Sequence, residues 1–140
     1  MINKTETLKS LNEMCSQTLM EHLGIVYTEV GEDYLVAEME VTSNHFQPMK
    51  ILHGGATLAL SESVGSALSV IHADLKNHDV KGMEINANHI RSIRKGKITA
   101  KAKFIHKGRI THVVGVKVLN EQDKLVSVCR ITNVIIKKQA

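Results

Sequence analysis

The chain has 140 residues, enough for one domain with a sizeable core, and its 43% hydrophobic and 23% charged residues are ordinary for a globular protein. Aromatic residues make up only 3% and Trp is absent, which argues against the stacking platforms used to bind single-stranded nucleic acid. The formal net charge of +4 comes without a block of consecutive basic residues, so it points to a small polyanionic ligand or a solvated surface rather than a nucleic-acid arm.

In chain order, Thr5 to Leu23 reads as a helix. Leu8, Leu11, Met14, Cys15, Leu19 and Leu23 recur near helical spacing, and Gly24 suits the end of it. A hairpin follows, with Ile25 to Val30 as one strand, Gly31-Glu32-Asp33 as the turn and Tyr34 to Thr42 as the other strand. Ser43 to Leu52 reads as a loop, and a long helix is expected from Gly54 to about Leu75. The remainder is strand-like: Val80 to Ile93, then Lys97 to His106 paired with Arg109 to Asn120 across Lys107-Gly108, then Lys124 to Lys137. Lys97, Thr99, Lys101 and Lys103 alternate with Ile98, Ala100, Ala102 and Phe104, the pattern of a sheet with one wet face and one packed face. Residues 1–140 thus form a single α+β domain, a long helix against a curved antiparallel sheet with an extra N-terminal helix.

Cys15 and Cys129 are too few and too far apart for a disulfide framework or a metal site, and read as free thiols in a reducing compartment. The eight histidines are dispersed and no metal-ligand spacing stands out. The polar N-terminus has no signal-peptide core and no apolar run approaches the ~18 residues of a membrane span. A cytoplasmic protein with no membrane or nucleic-acid partner is expected.

The informative stretch is His53-Gly54-Gly55, which opens the long helix, with Glu62 two turns along it. A helix N-terminus offers free N–H groups and a partial positive charge, the parts that stabilise an oxyanion. A carboxylate on a mostly apolar helix calls for a reason. Taken singly, each feature has a plainer reading: Glu62 as a surface or helix-pairing carboxylate, the glycines as a turn, His53 as a cap. At 100° per residue, Gly55, Leu58, Ala59, Glu62, Gly65, Ser66 and Ser69 share a mostly small face open to close approach by another element, such as the same helix of a second subunit. Leu60, Val64, Ala67, Leu68 and Ile71 are expected to face the sheet.

The run from Asn44 to Ser69, together with Gly82-Met83-Glu84-Ile85-Asn86-Ala87-Asn88-His89-Ile90-Arg91-Ser92, resembles the hotdog-fold acyl-CoA thioesterases over nearly the whole chain. Within them it is most similar to the branch of the Arthrobacter-type 4-hydroxybenzoyl-CoA thioesterase, which includes 1,4-dihydroxy-2-naphthoyl-CoA hydrolases of menaquinone synthesis and the enterobactin-pathway proofreading thioesterase. The resemblance implies that Glu62 is the catalytic base or nucleophile. It implies that the Gly54 N–H polarises the thioester carbonyl, and that Gln47, His53 and Ser66 complete the catalytic set. It makes His89, Arg91 and the Lys107-Gly108-Arg109 turn candidates for substrate or CoA contact, with Met83, Val64 and Leu68 as pocket candidates. It also implies that CoA is part of the substrate with no separate cofactor, and that the protein is a homo-oligomer, a dimer often paired into a tetramer. Glu62 would then act on substrate held at the interface with another subunit. Other readings are a fatty acyl-CoA thioesterase, a non-catalytic acyl-CoA-binding protein, or a hotdog dehydratase. The last lacks its Asp/His motif here, since no His lies one turn from Glu62.

Overall fold

A computed structural model describes residues 2–139. Six strands form one antiparallel sheet: β1 (Ile25–Val30), β2 (Tyr34–Glu40), β3 (His78–His89), β4 (Lys97–Lys107), β5 (Thr111–Asn120) and β6 (Leu125–Lys137). Their order across the sheet is β1-β2-β4-β5-β6-β3, so β1 and β3 are the edges. The chain begins with α1 (Lys4–Met14) and α2 (Leu19–Leu23), and the long α3 (Gly54–Val70) lies against the inner face of the sheet. This is the expected α+β hotdog arrangement with an added N-terminal helical segment. No helix among the described residues is long and apolar enough to cross a membrane.

The sheet curls around α3, which touches β2, β3, β4, β5 and β6. Leu60, Val64 and Leu68 have no exposed surface and interlock with Ile98, Ala100, Ala102, Val114, Val118 and Ile131, also fully buried. The alanines on β4 leave room for the helix, and the valines of β5 fill the curve, consistent with a core poor in aromatic residues.

Three expectations need correction. The N-terminal helix is not continuous: it stops at Met14, Gln17 takes a left-handed conformation (φ 59°), and Thr18 opens a separate short turn of helix. Polar side chains at the break supply local hydrogen bonds that compete with the helix, as Thr18 Oγ1 donates to the Cys15 carbonyl and the Glu21 carboxylate accepts from the Gln17 N–H. Second, α3 ends at Val70 rather than near Leu75, because Asp74 builds its own turn by accepting from Lys76 N and Asn77 Nδ2. Third, Gly65 and Ser69 do not belong to an outward stripe; they face β6. A Cβ at Gly65 would come within 2.5 Å of Ile131 Cγ2, so this glycine serves close approach of helix to sheet, not of helix to helix.

The other device joining α3 to the sheet is Asn133 on β6, which has no exposed surface. Its Nδ2 donates to Ser69 Oγ (2.8 Å) and to the Gly65 carbonyl (3.3 Å), and its Oδ1 accepts from Ser66 Oγ (3.3 Å). All three are on α3, so one side chain sets the rotation of the helix. On the far edge, α1 is tied to β1 by Asn12, which donates to the Tyr27 carbonyl and accepts from the Tyr27 N–H. The Tyr27 hydroxyl in turn donates to the Ser63 carbonyl of α3.

Two stability outcomes follow. Helix propensity alone makes Gly65→Ala a gain of ~1 kcal/mol, but the collision with the branched Ile131 costs ~1–3 kcal/mol, so the variant should unfold at lower urea concentration. Asn133→Ala leaves buried partners unsatisfied and a small cavity, a loss of ~2–3 kcal/mol, and its urea midpoint should fall further than that of Gly65→Ala.

Candidate active site

The site starts from the N-terminus of α3. His53 is the residue before the helix, and its Nδ1 accepts from the Gly55 N–H at 2.7 Å. That bond uses the Gly55 donor and turns His53 toward capping, as one plain reading of the sequence had it. The Gly54 N–H belongs to the unpaired first turn, where the helix dipole favours negative charge.

Gly54 opens into a cavity of about 260 Å³ lined by Gln47, Ile51, Thr57, His89, Arg91 and Val126, among others. Four residues far apart in sequence or on different elements therefore meet here: Gln47, Gly54, His89 and Arg91. Gln47 sits on a tight loop in which its N–H bonds the Ile51 carbonyl and its carbonyl accepts from Lys50. Its side-chain oxygen is taken by the Met49 N–H, which leaves the Gln47 amide –NH₂ as the donor available to a ligand. Arg94 braces the same loop by donating to the Met49 and Lys50 carbonyls. His89 ends β3, and its Nε2 lies so close to Gly54 that a Cβ there would approach it to 2.6 Å. Only glycine at position 54 lets the imidazole rest against the helix terminus.

Glu62 and Ser66 are elsewhere. Eight residues separate Glu62 from Gly54, a rise of ~12 Å along the helix. Glu62 is exposed, and its Oε1 would lie 3.3 Å from a Cβ at Gly82, so the carboxylate rests over the backbone of β3 beside the bulge between Gly82 and Glu84. Ser66, one turn on, donates to Asn133 and so presents its oxygen as an acceptor. Both side chains border an apolar groove of about 450 Å³ between α3 and the N-terminal segment, with Leu11, Met14, Leu19 and Met20 on its other wall.

Several expected contact residues are placed differently. Val64 and Leu68 are fully buried under α3 and are core, not pocket wall, because the sheet curls over that side of the helix. Met83 is 64% exposed on edge strand β3. The Lys107-Gly108-Arg109 turn is at the opposite end of the sheet from His89. Thr111 aligns with Val134, whereas His89 aligns with Ser127, a separation of ~23 Å along β6. Within one chain that turn does not join Arg91. The basic residues that do share a surface are Lys101, Lys103, Lys117 and Arg130 on the outer sheet face, around a concave region of about 790 Å³. Their alternation along the strands was legible, but it reads equally as an ordinary wet face. Asn133 and Ser127, which hold Ser66 and His89, carried no sequence signal, since each sits in an apolar strand pattern.

Comparison with known proteins agrees with this fold. Residues 49–127 match the family described as the thioesterase superfamily. A thioesterase of Haemophilus influenzae has a solved structure with 39% identity and a TM-score of 0.89, covering 93% of this chain and 90% of that one. A thioesterase of Pseudomonas aeruginosa, solved as a glutamine-to-alanine variant, shows 35% identity and a TM-score of 0.92, with 94% of each chain covered. A thioesterase of Staphylococcus aureus shows 36% identity and a TM-score of 0.82 over 84% of this chain and 98% of that one. The matched segment contains the α3 terminus, Glu62 and the His89 strand, and the chain belongs to the thioesterase superfamily of thioester hydrolases, in its hotdog fold.

Proposed function

We propose that this protein is an acyl-CoA thioesterase whose active site is assembled from two subunits. The observation that carries the reading is the split within one chain: Gln47, Gly54 and His89 surround one cavity, while Glu62 lies ~12 Å farther along α3 over Gly82. No single thioester carbon can touch both. A second copy supplies the missing carboxylate if the two chains meet along β3. That strand is a sheet edge with an unpaired outer row of backbone groups, and it exposes Met83 at 64%.

In this reading the thioester carbonyl oxygen accepts from the Gly54 N–H at the positive end of α3, with the Gln47 –NH₂ beside it. Glu62 of the other subunit either removes a proton from the attacking water or attacks the carbonyl carbon itself, forming an anhydride that water then opens. Ser66, its own proton committed to Asn133, accepts a hydrogen bond from that water. The tetrahedral intermediate collapses with the CoA thiolate as leaving group, which needs little protonation. The oxyanion donor is worth ~3 kcal/mol. Arg91 at the cavity mouth is suited to a CoA phosphate.

The acyl group is assigned to the aryl class, with 1,4-dihydroxy-2-naphthoyl-CoA first, on the resemblance of the Gln47, His53-Gly54-Gly55, Glu62 and His89 motifs. A second reading, a fatty acyl thioester, is favoured by the apolar groove beside Glu62 and Ser66. Comparing kcat/KM across aryl- and fatty acyl-CoAs separates them.

With benzoyl-CoA and a thiol reagent, wild type should release CoA, and Glu62→Ala should lose at least ~100-fold in kcat while the urea midpoint stays near wild type. Unchanged turnover would sink the mechanism. Co-expression of Glu62→Ala with Gln47→Ala chains tests the shared site directly. Mixed dimers hold one intact site each, so about a quarter of wild-type activity should return from two poorly active parents. Activity no better than the parents' average, or a monomer by light scattering at micromolar concentration, would rule out a site built across subunits.

A further inference from the structure

His45 is buried in the loop between β2 and α3, yet it does not line the cavity at the first turn of α3. All four of its polar groups are bonded. Its N–H donates to the Thr42 carbonyl (3.0 Å), and its carbonyl accepts from the His53 N–H (2.7 Å). Its ring Nδ1 lies 3.1 Å from the Thr42 backbone nitrogen, and its Nε2 lies 2.9 Å from the Leu23 carbonyl oxygen. Both ring partners are backbone groups of fixed sense, since an amide N–H only donates and a carbonyl only accepts. Nδ1 is therefore the acceptor and Nε2 carries the hydrogen, and one neutral imidazole meets both demands. In Thr42-Ser43-Asn44-His45 the ring takes the reciprocal role that Glu or Gln usually holds in a capping box, and its second nitrogen reaches on to the end of α2.

We infer that His45 is a positioning residue whose ring anchors the Gln47 loop and so sets the spacing of two oxyanion donors, the Gln47 –NH₂ and the Gly54 N–H. The donor half rests on the proposed thioesterase reading; the anchoring half does not. Residues 46–52 form a closed loop, with Phe46 bridged to Leu52 and the Gln47 N–H on the Ile51 carbonyl (2.9 Å). Gln47 lies on one stem of this loop and Gly54 follows the other, so the spacing of the donors follows the spacing of the stems. The far stem is tied to the chain after β3, where the Leu52 N–H donates to the Ile93 carbonyl (2.7 Å). The near stem is tied by the His45 ring, to Thr42 just past the end of β2 and to Leu23 at the end of α2. The His45 carbonyl then joins the two stems at His53, one residue before Gly54. Loss of the ring's bonds frees the near stem, and a drift of about 1 Å between the donors costs catalysis heavily. CoA contacts that do not use these donors are left as they were.

The anchor is read without turnover, by two-bond proton–nitrogen correlation on protein with labelled histidine rings at mildly alkaline pH, the His45 signals being assigned with His45→Gln. Wild type should show a protonated Nε2 and a bare Nδ1. A His45 ring protonated on Nδ1 would overturn the anchor, whatever the fate of the thioesterase reading. The donors are read with His45→Leu, which is similar in bulk and can make neither ring bond. Its kcat for benzoyl-CoA, per folded molecule, should fall at least ~10-fold, while its affinity for CoA alone stays within about twofold of wild type. Its affinity for the ketone analogue with a CH₂ between carbonyl and sulfur should fall several-fold, because that ligand still needs the donors. A merely structural role lowers the urea midpoint and leaves both ratios alone, so kcat per folded molecule within about twofold of wild type overturns the positioning role. If His45→Leu does not fold, His45→Gln decides. Gln keeps the capping bond to Thr42 and gives up the one to Leu23, and its kcat should fall at least ~3-fold with CoA affinity unchanged. Wild-type kcat in His45→Gln would then overturn the role. Absence of CoA release by wild type overturns the thioesterase reading and the donor half with it, and the ring signals still decide the anchor.

Discussion

Everything about this molecule depends on the burial of α3 in the curl of the sheet. Five strands touch the helix, and the contact is close enough that position 65 cannot carry a side chain without striking Ile131. A helix held this way keeps its interior hydrogen bonds and loses most of its surface. What stays open is its first turn and the flank bearing Glu62. The first turn is the end that stabilises negative charge. The packing that makes the core thus also decides which backbone donors of the helix stay open to a ligand.

The same packing separates the candidate catalytic residues into two places. Rigid helical rise puts Glu62 ~12 Å from Gly54, and no side-chain rotation closes that gap. Each half is nonetheless well braced. Arg94 holds the Gln47 loop, Ser127 holds His89, and Asn133 holds Ser66 while it fixes the helix rotation. In the proposed reading these two groups are half-sites, and a second copy of the chain completes each of them along the free β3 edge. On that proposal, activity depends on assembly.

Much of the fold was legible because the signals are local. Gly31-Glu32-Asp33 and Lys107-Gly108 mark turns, the lysine alternation of β4 marks a strand with one wet face, and the run from Gly54 marks a helix. The errors fell where local polar groups override periodicity. Thr18 and Glu21 break the N-terminal helix, and Asp74 closes the chain into a turn before α3 can reach Leu75. The outward stripe on α3 failed for a different reason. Small residues at helical spacing permit close approach, but nothing local says whether the neighbour is a sheet or a second helix.

By itself, the sequence determined the α+β class, the position of the long helix and the notable pairing of Gly54 with Glu62, since residue type and spacing along the chain carry those, whereas Gln47 and His89 were marked out by the family resemblance. Only the tertiary structure decided which of them meet. It joined Gln47, Gly54, His89 and Arg91 around one cavity, sent Val64 and Leu68 into the core, and moved the Lys107–Arg109 turn to the far end of the sheet. It also brought in Ser127 and Asn133, whose importance lies wholly in hydrogen bonds across 38 and 67 residues of sequence. Contacts of that range follow from strand register and helix rotation, which are settled by the packing of the whole core and by no short segment of it.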